Sequence, residues 1–285
     1  MTLSREKERL LQRLKSPRLR RKEGLFLVEG IRGAREFLDA SLPVAIRFAV
    51  VSPRLGNVPG GQELLRALQD STVPVHSVDD ETLPGLSDTE TPQGILLVGE
   101  EPSDSSRFRD RIQGCPGPRL LILDRLQDPG NVGTLIRSAR AFGLEGVVAL
   151  DGTADPWGPK VVRSGAGSHA HLAILRMSAS DVLAWVRRLA VPLLVAEAGG
   201  SDVRGLRPLG GWALVVGNEG GGVRRELRDA GSAALSIPMA QGVDSLNAAV
   251  AGSLLLYALS AGGAGENEPK GGLEPPAGGA AAAGT

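Results

Sequence analysis

The sequence predicts an α/β protein made of two successive α/β units, the second of them built around a parallel sheet. Short apolar runs alternate with helical patterns along most of the 285 residues, an order that is typical of α/β layers. The apolar runs of the second unit are nearly continuous, as in parallel strands that are covered on both faces. The C-terminal stretch is rich in Gly, Ala and Pro, which predicts a disordered tail because such a segment cannot bury enough apolar surface to fold.

The element boundaries follow from these patterns. We expect a smaller first unit over residues 1–100, a linker over 101–118, a second unit over 119–261 and the tail over 262–285. Leucine spacing predicts a first helix that ends before Pro17. The other predicted helices cover Ile31–Leu38, Gln62–Gln69, Val132–Phe142, Ala179–Leu189, Val223–Ala230 and Ser245–Ser260. The predicted strands cover Leu25–Glu29, Ala45–Val51, Val73–Val78, Gly94–Gly99, Leu120–Leu123, Gly146–Leu150, His171–Leu175, Pro192–Ala196, Trp212–Val216 and Ala234–Ile237.

Charge is unevenly distributed, although the formal net charge is zero. Residues 1–24 carry nine Lys and Arg against three Glu. Such an excess is typical of a surface that contacts phosphates, and a solvated amphipathic helix is the alternative interpretation. The candidate RNA-binding residues of this segment are Arg18, Arg20, Arg21 and Lys22.

Several classes of protein are excluded by composition. No apolar run approaches the length of a membrane span, and the charged N-terminus lacks the apolar core of a signal peptide. A single cysteine, Cys115, excludes an internal disulfide framework and suits a reducing cytoplasm, so we expect a cytoplasmic protein without a membrane partner. His169 and His171 have strand-like spacing, but no nearby cysteine or second carboxylate completes a metal site, and no metal is expected. His76 is expected at the surface.

The first of three polar segments in the second unit is Asp128–Arg137 (DPGNVGTLIR). Its Pro-Gly pair predicts a tight turn, and Asn131 is placed to cap the helix that follows. Gly133 lies one turn before Arg137 and leaves room for an approaching backbone or ligand. Arg137 and Arg140 share one side of the helix, which favours a grip on phosphate. A capped helix with two surface arginines is the alternative.

The second and third segments also join a strand to a helix. Residues Gly217–Val223 (GNEGGGV) fit neither a P-loop nor a dinucleotide fingerprint, and Glu219 has the alternative role of a carboxylate at a helix N-terminus. In Ile237–Asn247 (IPMAQGVDSLN) Pro238 cannot donate to a sheet ladder. The strand therefore ends there and leaves neighbouring carbonyls free for a ligand. Ser245 is expected to cap the last helix.

The three segments, in this order and spacing, resemble the signature of the SpoU (TrmH) family of RNA ribose 2′-O-methyltransferases, in the SPOUT superfamily. The resemblance implies a C-terminal domain with a deep trefoil knot that binds S-adenosyl-L-methionine. By motif position, the residues implied around the reacting ribose are Asn131, Arg137, Glu219, Ser245 and Asn247. The implied cofactor-binding residues are Ala196, Gly217, Asn218, Glu219, Gly220, Ile237, Pro238, Met239 and Leu246.

The resemblance extends to the first unit. Phe26–Gly30 and Thr91–Ile95 are similar to segments of the ribosomal-protein-like RNA-binding domain that precedes the knot in a large subgroup of the family, and Arg163–Gly167 matches a further family segment. With Arg140 and Arg163 added to the RNA-binding candidates, the implied substrate is RNA, with ribosomal RNA favoured over transfer RNA. The resemblance also implies a homodimer, to which an apolar patch at Leu254–Leu259 would contribute.

Two other classes of function stay open at this point. One is an RNA-binding protein that keeps the fold without catalysis, which would not need Asn131, Arg137, Glu219 and Asn247 together. The other is a nucleotide-binding hydrolase or dehydrogenase, for which the Walker, dinucleotide and G-x-S-x-G motifs are missing. Within the methyltransferase interpretation, we expect Arg137 to stabilise charge first. A guanidinium is a very poor base.

Overall fold

The computed structural model describes residues 2–102, 105–205, 210–243 and 245–260. The first unit is a four-stranded sheet of order β1-β4-β2-β3, in which only β2 and β3 run parallel. Its strands are β1 (Leu25–Glu29), β2 (Ile46–Val51), β3 (Val75–Ser77) and β4 (Ile95–Glu100). Its helices are α1 (Arg5–Leu14), α2 (Pro17–Glu23), α3 (Ile31–Leu38), α4 (Gly61–Asp70) and α5 (Leu83–Leu86).

The N-terminal segment contains two helices where the sequence predicted one. Pro17 stands at the first position of α2, where its missing N–H costs nothing. Gly24 ends α2 with a φ of 63°, a left-handed conformation that glycine adopts without strain. The proline therefore ends one helix and begins the next.

The second unit is a six-stranded sheet of order β10-β8-β9-β5-β6-β7, and every neighbouring pair in it is parallel. Its strands are β5 (Arg119–Asp124), β6 (Gly146–Leu150), β7 (Ala173–Met177), β8 (Leu193–Asp202), β9 (Trp212–Gly217) and β10 (Ala233–Ser236). Its helices are α7 (Pro129–Ala141), α8 (Pro159–Ser164), α9 (Ala179–Leu189), α10 (Arg225–Asp229) and α11 (Ala248–Ser260), preceded by α6 (Ser105–Gln113).

Both faces of this sheet are covered, as predicted. In β5, Leu121 and Leu123 join one apolar cluster while Leu120 and Ile122 join another on the opposite face. Successive side chains of a strand point to opposite faces, so a continuous apolar run is what two covered faces require. The parallel α/β interpretation of the second unit is confirmed.

The predicted linker is in part structured. Helix α6 lies within 101–118, and its Phe108 and Ile112 are buried with Leu120 and Trp185. These two apolar residues stand four apart among charged neighbours, so they form a stripe too short to stand out in the sequence. The predicted tail, 262–285, lies outside the described residues.

The two units share one core. The ring of Phe26 in β1 lies 4.6 Å from that of Trp157, which precedes α8. A single cluster contains apolar side chains of both units. Large apolar interfaces of this kind hold units in one arrangement. The first unit is therefore part of the same packed body as the second.

The histidines differ from expectation. His169 lies in a 3₁₀ turn, Ser168–Ala170, so the strand-like arrangement expected of His169 and His171 is wrong. The strand predicted over His171–Leu175 is present as β7, which begins two residues later, at Ala173. The His169 ring is fully buried, with Nε2 2.8 Å from the carbonyl oxygen of Pro156. His171 contacts Glu36 and Ser41 of the first unit. His76 is also buried, beside Phe48, and is not at the surface.

Burial of His169 predicts an acid sensitivity. Burial lowers the pKa of His169 from 6.5 to about 4, because a charged ring is poorly solvated there. Between these two pKa values, His169 is protonated in the unfolded chain and neutral in the folded chain. Stability present above pH 6.5 should be lost as the pH falls to about 4, by about 3 kcal/mol. Urea unfolding at several pH values across this range measures the loss in the free energy of unfolding.

The control for this effect compares two histidine variants. His169→Gln should remove most of the added slope of stability against pH in this window, although it lowers stability at pH 7. His171→Gln, which replaces the partly buried histidine two residues later, should keep the slope. An unchanged slope in His169→Gln would contradict the assignment.

No helix of the described residues is long and apolar enough to cross a membrane. The same residues contain no group of three or more His, Cys, Asp or Glu side chains placed to hold a metal ion.

Candidate active site

A cavity of about 640 Å³ lies at the carboxyl ends of β9 and β10 and beside the middle of β8. Its walls are residues 196–199 within β8, residues 216–219 at the end of β9 and residues 236–240 from the end of β10 onward. The residues before and within α11 close the remaining side. Ligands of parallel α/β sheets bind at this edge of the sheet.

The structure gathers nearly all of the predicted cofactor residues at this cavity. Eight of the nine line it: Ala196, Gly217, Asn218, Glu219, Ile237, Pro238, Met239 and Leu246. Gly220 is the exception, and its N–H donates to Asn218 Oδ1 at 2.8 Å. The sequence did not single out Glu197 and Arg228, which also line the cavity and form an ion pair of 3.2 Å. They come together only because β8 and β10 are neighbours.

The turn at Gly217–Gly222 is stabilised by hydrogen bonds of one of its own residues, Asn218. Asn218 exchanges two backbone hydrogen bonds with Gly222, and its Oδ1 also accepts the N–H of Gly221 at 3.1 Å. Its Nδ2 donates to the carbonyl of Arg125 at 3.1 Å. A Cβ on Gly217 would lie 2.4 Å from the carbonyl carbon of Gly222. Only glycine therefore fits where this turn closes on itself.

A buried carboxylate fixes the end of the same turn. Asp124, at the end of β5, is fully buried and accepts the N–H and the Nε–H of Arg224, both at 2.7 Å. Arg224 follows directly after the glycine turn that forms part of the cavity wall. Its ion pair with Asp124 therefore joins β5 to that wall. A strand-terminal Asp beside a distant Arg carries no sequence signal, and neither residue was predicted.

Three predicted catalytic residues, one from each polar segment, form a hydrogen-bonded chain. Asn247 Nδ2 donates to Asn131 Oδ1 at 3.1 Å, and Asn131 Nδ2 donates to the carboxylate of Glu219. Residues 116 positions apart in the sequence are thus in contact. These three hydrogen-bonded side chains adjoin the cavity through Glu219, and Ser245 lies on the cavity wall.

Two predicted helix caps are wrong. Asp128 caps α7 by accepting the N–H of Asn131 at 2.8 Å, which leaves the Asn131 side chain free to reach Glu219. Helix α11 begins at Ala248, and Asn247 Oδ1 accepts the N–H groups of Ala249 and Val250 at 2.9 and 3.2 Å. Asn247 therefore serves as the cap expected of Ser245. Each motif contains several residues able to cap, and the sequence did not say which one does.

Arg137 lies on the exposed side of α7. Its guanidinium forms no hydrogen bond or ion pair within the described residues. Gly133, one turn earlier, is required by packing: its Cβ would lie 2.4 Å from Ser164 Cβ and 2.6 Å from the carbonyl oxygen of Val161. The space predicted beside Gly133 is therefore filled by the backbone of α8.

The predicted RNA-binding residues divide into two groups. Arg18, Arg21 and Lys22 are exposed on α2. Arg20 is 3% exposed and donates to Asp155, at 3.0 Å, and to the carbonyl of Leu14. Since it is buried and paired, the RNA-binding assignment of Arg20 is wrong.

The other two arginines are engaged with the first unit. Arg140 pairs with Glu36 at 2.7 Å, so it does not form the expected fork with Arg137. Arg163 is exposed at the boundary of the units, 3.6 Å from Glu29 and 3.7 Å from Asp88.

Comparisons with known proteins agree with this arrangement. A model described as "SpoU rRNA Methylase family" matches residues 118–257, and one described as "MRM3-like substrate binding domain" matches residues 6–97. The chain is 30% identical to the 23S rRNA (guanosine(2553)-2′-O)-methyltransferase RlmP of Bacillus subtilis over 87% of this chain and 93% of that protein.

Solved structures of the same kind are similar over nearly the whole chain. The AdoMet-bound rRNA methyltransferase from Sinorhizobium meliloti has a TM-score of 0.78 and 27% identity, covering 91% of this chain and 96% of that one. The SpoU methyltransferase AviRb from Streptomyces viridochromogenes, in complex with the cofactor AdoMet, has a TM-score of 0.76 and 30% identity, covering 90% and 96%. With its three motifs joined by hydrogen bonds beside one cavity, and with relatives of this identity and coverage, the chain belongs to the SpoU rRNA methylase family.

Proposed function

We propose that this chain transfers the methyl group of S-adenosyl-L-methionine to a ribose 2′-hydroxyl of ribosomal RNA. The observation that carries the proposal is the meeting of the three motifs. A cavity at the strand ends adjoins a hydrogen-bonded chain of Asn247, Asn131 and Glu219. RlmP, a 23S rRNA 2′-O-methyltransferase, is similar over most of its length, which favours ribosomal over transfer RNA. The cytoplasmic location stays a prediction.

The cavity suits the proposed cofactor. Its volume, about 640 Å³, is within the range of sites for small molecules. Val216, Leu235 and Leu255 give it apolar walls for an adenine ring, and the turns at 217–222 and 236–240 present backbone groups. Glu219 adds a carboxylate that favours a cationic ligand, whereas the carboxylate of Glu197 is already paired with Arg228. When bound, the cofactor supplies the methyl group, and its sulfonium is neutralised by the transfer.

The residues of the chain itself have two tasks in this reaction. One is to hold the ribose hydroxyl in line with the methyl group, and we assign it to the polar group of Asn131, Glu219, Ser245 and Asn247. The other is to stabilise the charge that develops on the ribose oxygen, and we assign it to Arg137. The same guanidinium can hold the adjacent phosphate.

We propose a homodimer in which α7 and α11 meet their copies in a second chain. Val250, Leu254 and Tyr257 are 48%, 45% and 60% exposed, and their spacing places them in one stripe of α11. Helix α7 lies beside α11, joined by the Ser138–Ser253 hydrogen bond. Arg137 precedes Ser138 on α7 and has no partner among the described residues. A second copy would cover the stripe and receive the guanidinium near its own ribose site.

The proposed trefoil knot is consistent with the sheet order. Strand β10 pairs with β8 at the edge of the sheet, and α11 then returns to contact α7, β8, β9 and the short turn Val203–Gly205. The chain after β10 thus passes by the segment that joins β8 to β9. We assign the knot to this passage, and the RNA-recruiting role to the first unit with its exposed Arg18, Arg21 and Lys22.

Labelled S-adenosyl-L-methionine incubated with undermodified total RNA, followed by nucleoside analysis, tests the reaction. We expect the label in a 2′-O-methylnucleoside of ribosomal RNA. Label in transfer RNA would change the substrate, and label on a base would contradict the ribose assignment. Cofactor binding without transfer to any RNA would favour a catalytically silent RNA-binding protein.

A further inference from the structure

A second cavity, of about 350 Å³, lies where the first unit meets α8. Three segments line it: the end of β1 with the start of α3, the loop before β4, and the end of α8. They overlap Phe26–Gly30, Thr91–Ile95 and Arg163–Gly167, which the proposed reaction does not use. The two cavities share no lining residue.

A buried carboxylate in this cavity lacks a donor for one oxygen. Glu29 lines the cavity with a side chain that is 5% exposed. Its Oε1 accepts the N–H of Asp88 at 2.6 Å. Its Oε2 accepts no hydrogen bond from the described residues, and Arg163 Nη1, at 3.6 Å, is beyond hydrogen-bonding distance. Leaving such an oxygen without a donor is costly, so the site is suited to a ligand that brings N–H groups.

The other polar groups of the cavity indicate which class of ligand it can bind. Gln93 Oε1 accepts the N–H of Ile31 at 3.0 Å, which leaves its amide NH₂ available as a donor. Arg32 and Arg163 are exposed at the rim and suit a phosphate. An acceptor inside, a donor beside it and cations at the rim match an unpaired nucleotide, and unpaired bases are the usual target of sequence-specific RNA recognition.

Guanine matches a carboxylate best among the four bases. Its N1–H and its amino group are adjacent donors, and both can face one carboxylate. Uracil has a single N–H between two carbonyls, and adenine and cytosine place an acceptor nitrogen beside their amino group. Each of these three bases would therefore turn an acceptor toward Glu29.

We propose that this cavity binds an unpaired guanine of the RNA substrate, with Glu29 accepting its N1–H and amino group. The inference rests on the proposed function for the identity of the RNA. Because this cavity shares no lining residue with the cofactor cavity, the guanine is a second nucleotide of the RNA and not the methylated nucleotide itself.

Titration of the full chain with GMP, IMP, AMP, CMP and UMP, at saturating S-adenosyl-L-methionine to block the first cavity, tests the proposal. We expect GMP to bind about ten-fold or more tightly than the others, including IMP, which lacks the amino group. Glu29→Gln keeps an acceptor for the Asp88 N–H and should weaken GMP binding by about ten-fold. Glu63→Gln, on an exposed glutamate of the same unit, should leave it unchanged.

Equal affinity for the five nucleotides would overturn the proposal, as would GMP binding unaffected in Glu29→Gln. Glu29 would then only pair with Arg163 across the units. If Glu29→Gln does not fold, the comparison of GMP with IMP on the unaltered chain decides. Methyl transfer to ribosomal RNA without GMP selectivity would support the proposed function and contradict the guanine site. GMP selectivity without methyl transfer would support the guanine site and contradict the proposed function.

Discussion

Arg137→Ala is expected to lower the rate of methyl transfer by about 10²–10³-fold, the usual effect of removing one donor that stabilises developing charge. The affinity for S-adenosyl-L-methionine should stay unchanged, because Arg137 does not line the cofactor cavity. The fold should also persist, since the side chain is exposed and has no partner among the described residues. Single-turnover kinetics and cofactor titration measure the two effects separately.

The matched control is Arg225→Ala, which removes an arginine of the same unit that is 87% exposed and whose one ion-pair partner among the described residues is Asp229. It should leave the rate within about two-fold, as expected of an exposed ion pair. A comparable loss in both variants would mean that general charge matters and that Arg137 has no particular role. A loss of cofactor affinity in Arg137→Ala would move the residue into the binding site.

Arg137→Lys separates the two chemical roles. A lysine that stabilises charge must be protonated, so the rate should fall as the pH rises toward about 10. A lysine that acts as the base must be neutral, so the rate should rise over the same range. We expect the fall.

Mixing two inactive variants tests where Arg137 acts. If Arg137 serves the site of the second copy, a dimer of one Arg137→Ala chain and one Asn131→Ala chain contains one intact site. Random exchange of such chains should then restore about a quarter of the activity. If Arg137 serves its own chain, every site in the mixture carries one substitution and nothing is restored.

The parallel sheet and its turns could be predicted well from the sequence, because Gly, Pro and Asn at the strand ends favour turns and interrupt regular strands. The contact of Asn131 with Glu219 follows from the order of the strands in the sheet, which periodicity does not contain. Which residue caps a helix also stayed open, because Asp128 and Asn131 are three residues apart and both can cap. The resemblance to a family named the residues of the site, and the structure explains how Asn131 is freed for it.

The failures have a common cause in contacts with residues that lie elsewhere in the sequence. Arg20 belongs to a run of basic residues that looks uniform in the sequence, yet it alone points inward, to a carboxylate 135 positions away. Phe108 and Ile112 were missed because their partners lie elsewhere in the chain. Patterns that are local in the sequence cannot report such contacts.

Asp155→Ala is therefore expected to cost about 3–5 kcal/mol in the free energy of unfolding, because removing one partner of a buried ion pair leaves an uncompensated charge. Asp155 is 9% exposed in its side chain and accepts from Arg20 and Arg176, at 3.0 and 2.5 Å. Glu63→Ala removes an exposed partner of Arg35 and should cost at most about 1 kcal/mol. Urea unfolding at pH 7 compares the two variants.

The pH dependence of this pair has a defined sign. Burial alone would raise the pKa of Asp155, but the hydrogen bonds and charges of Arg176 and Arg20 outweigh it and lower the pKa. The carboxylate therefore contributes stability above the pKa of an unfolded aspartate, and the contribution is lost as the pH falls through the lower value of the folded state. Asp155→Asn should lack this part of the acid loss.

The number of unfolding transitions tests the shared core itself. Asp155 belongs to the second unit and Arg20 to the first, and the rings of Trp157 and Phe26 pack between the units beside this pair. If the core is continuous, the unaltered chain unfolds in one transition, and Asp155→Ala lowers its midpoint. Two transitions in the unaltered chain, with only one shifted in the variant, would mean that the units fold independently and that the boundary is only a contact. We expect one transition, because neither unit can lose this boundary without exposing buried apolar side chains of both.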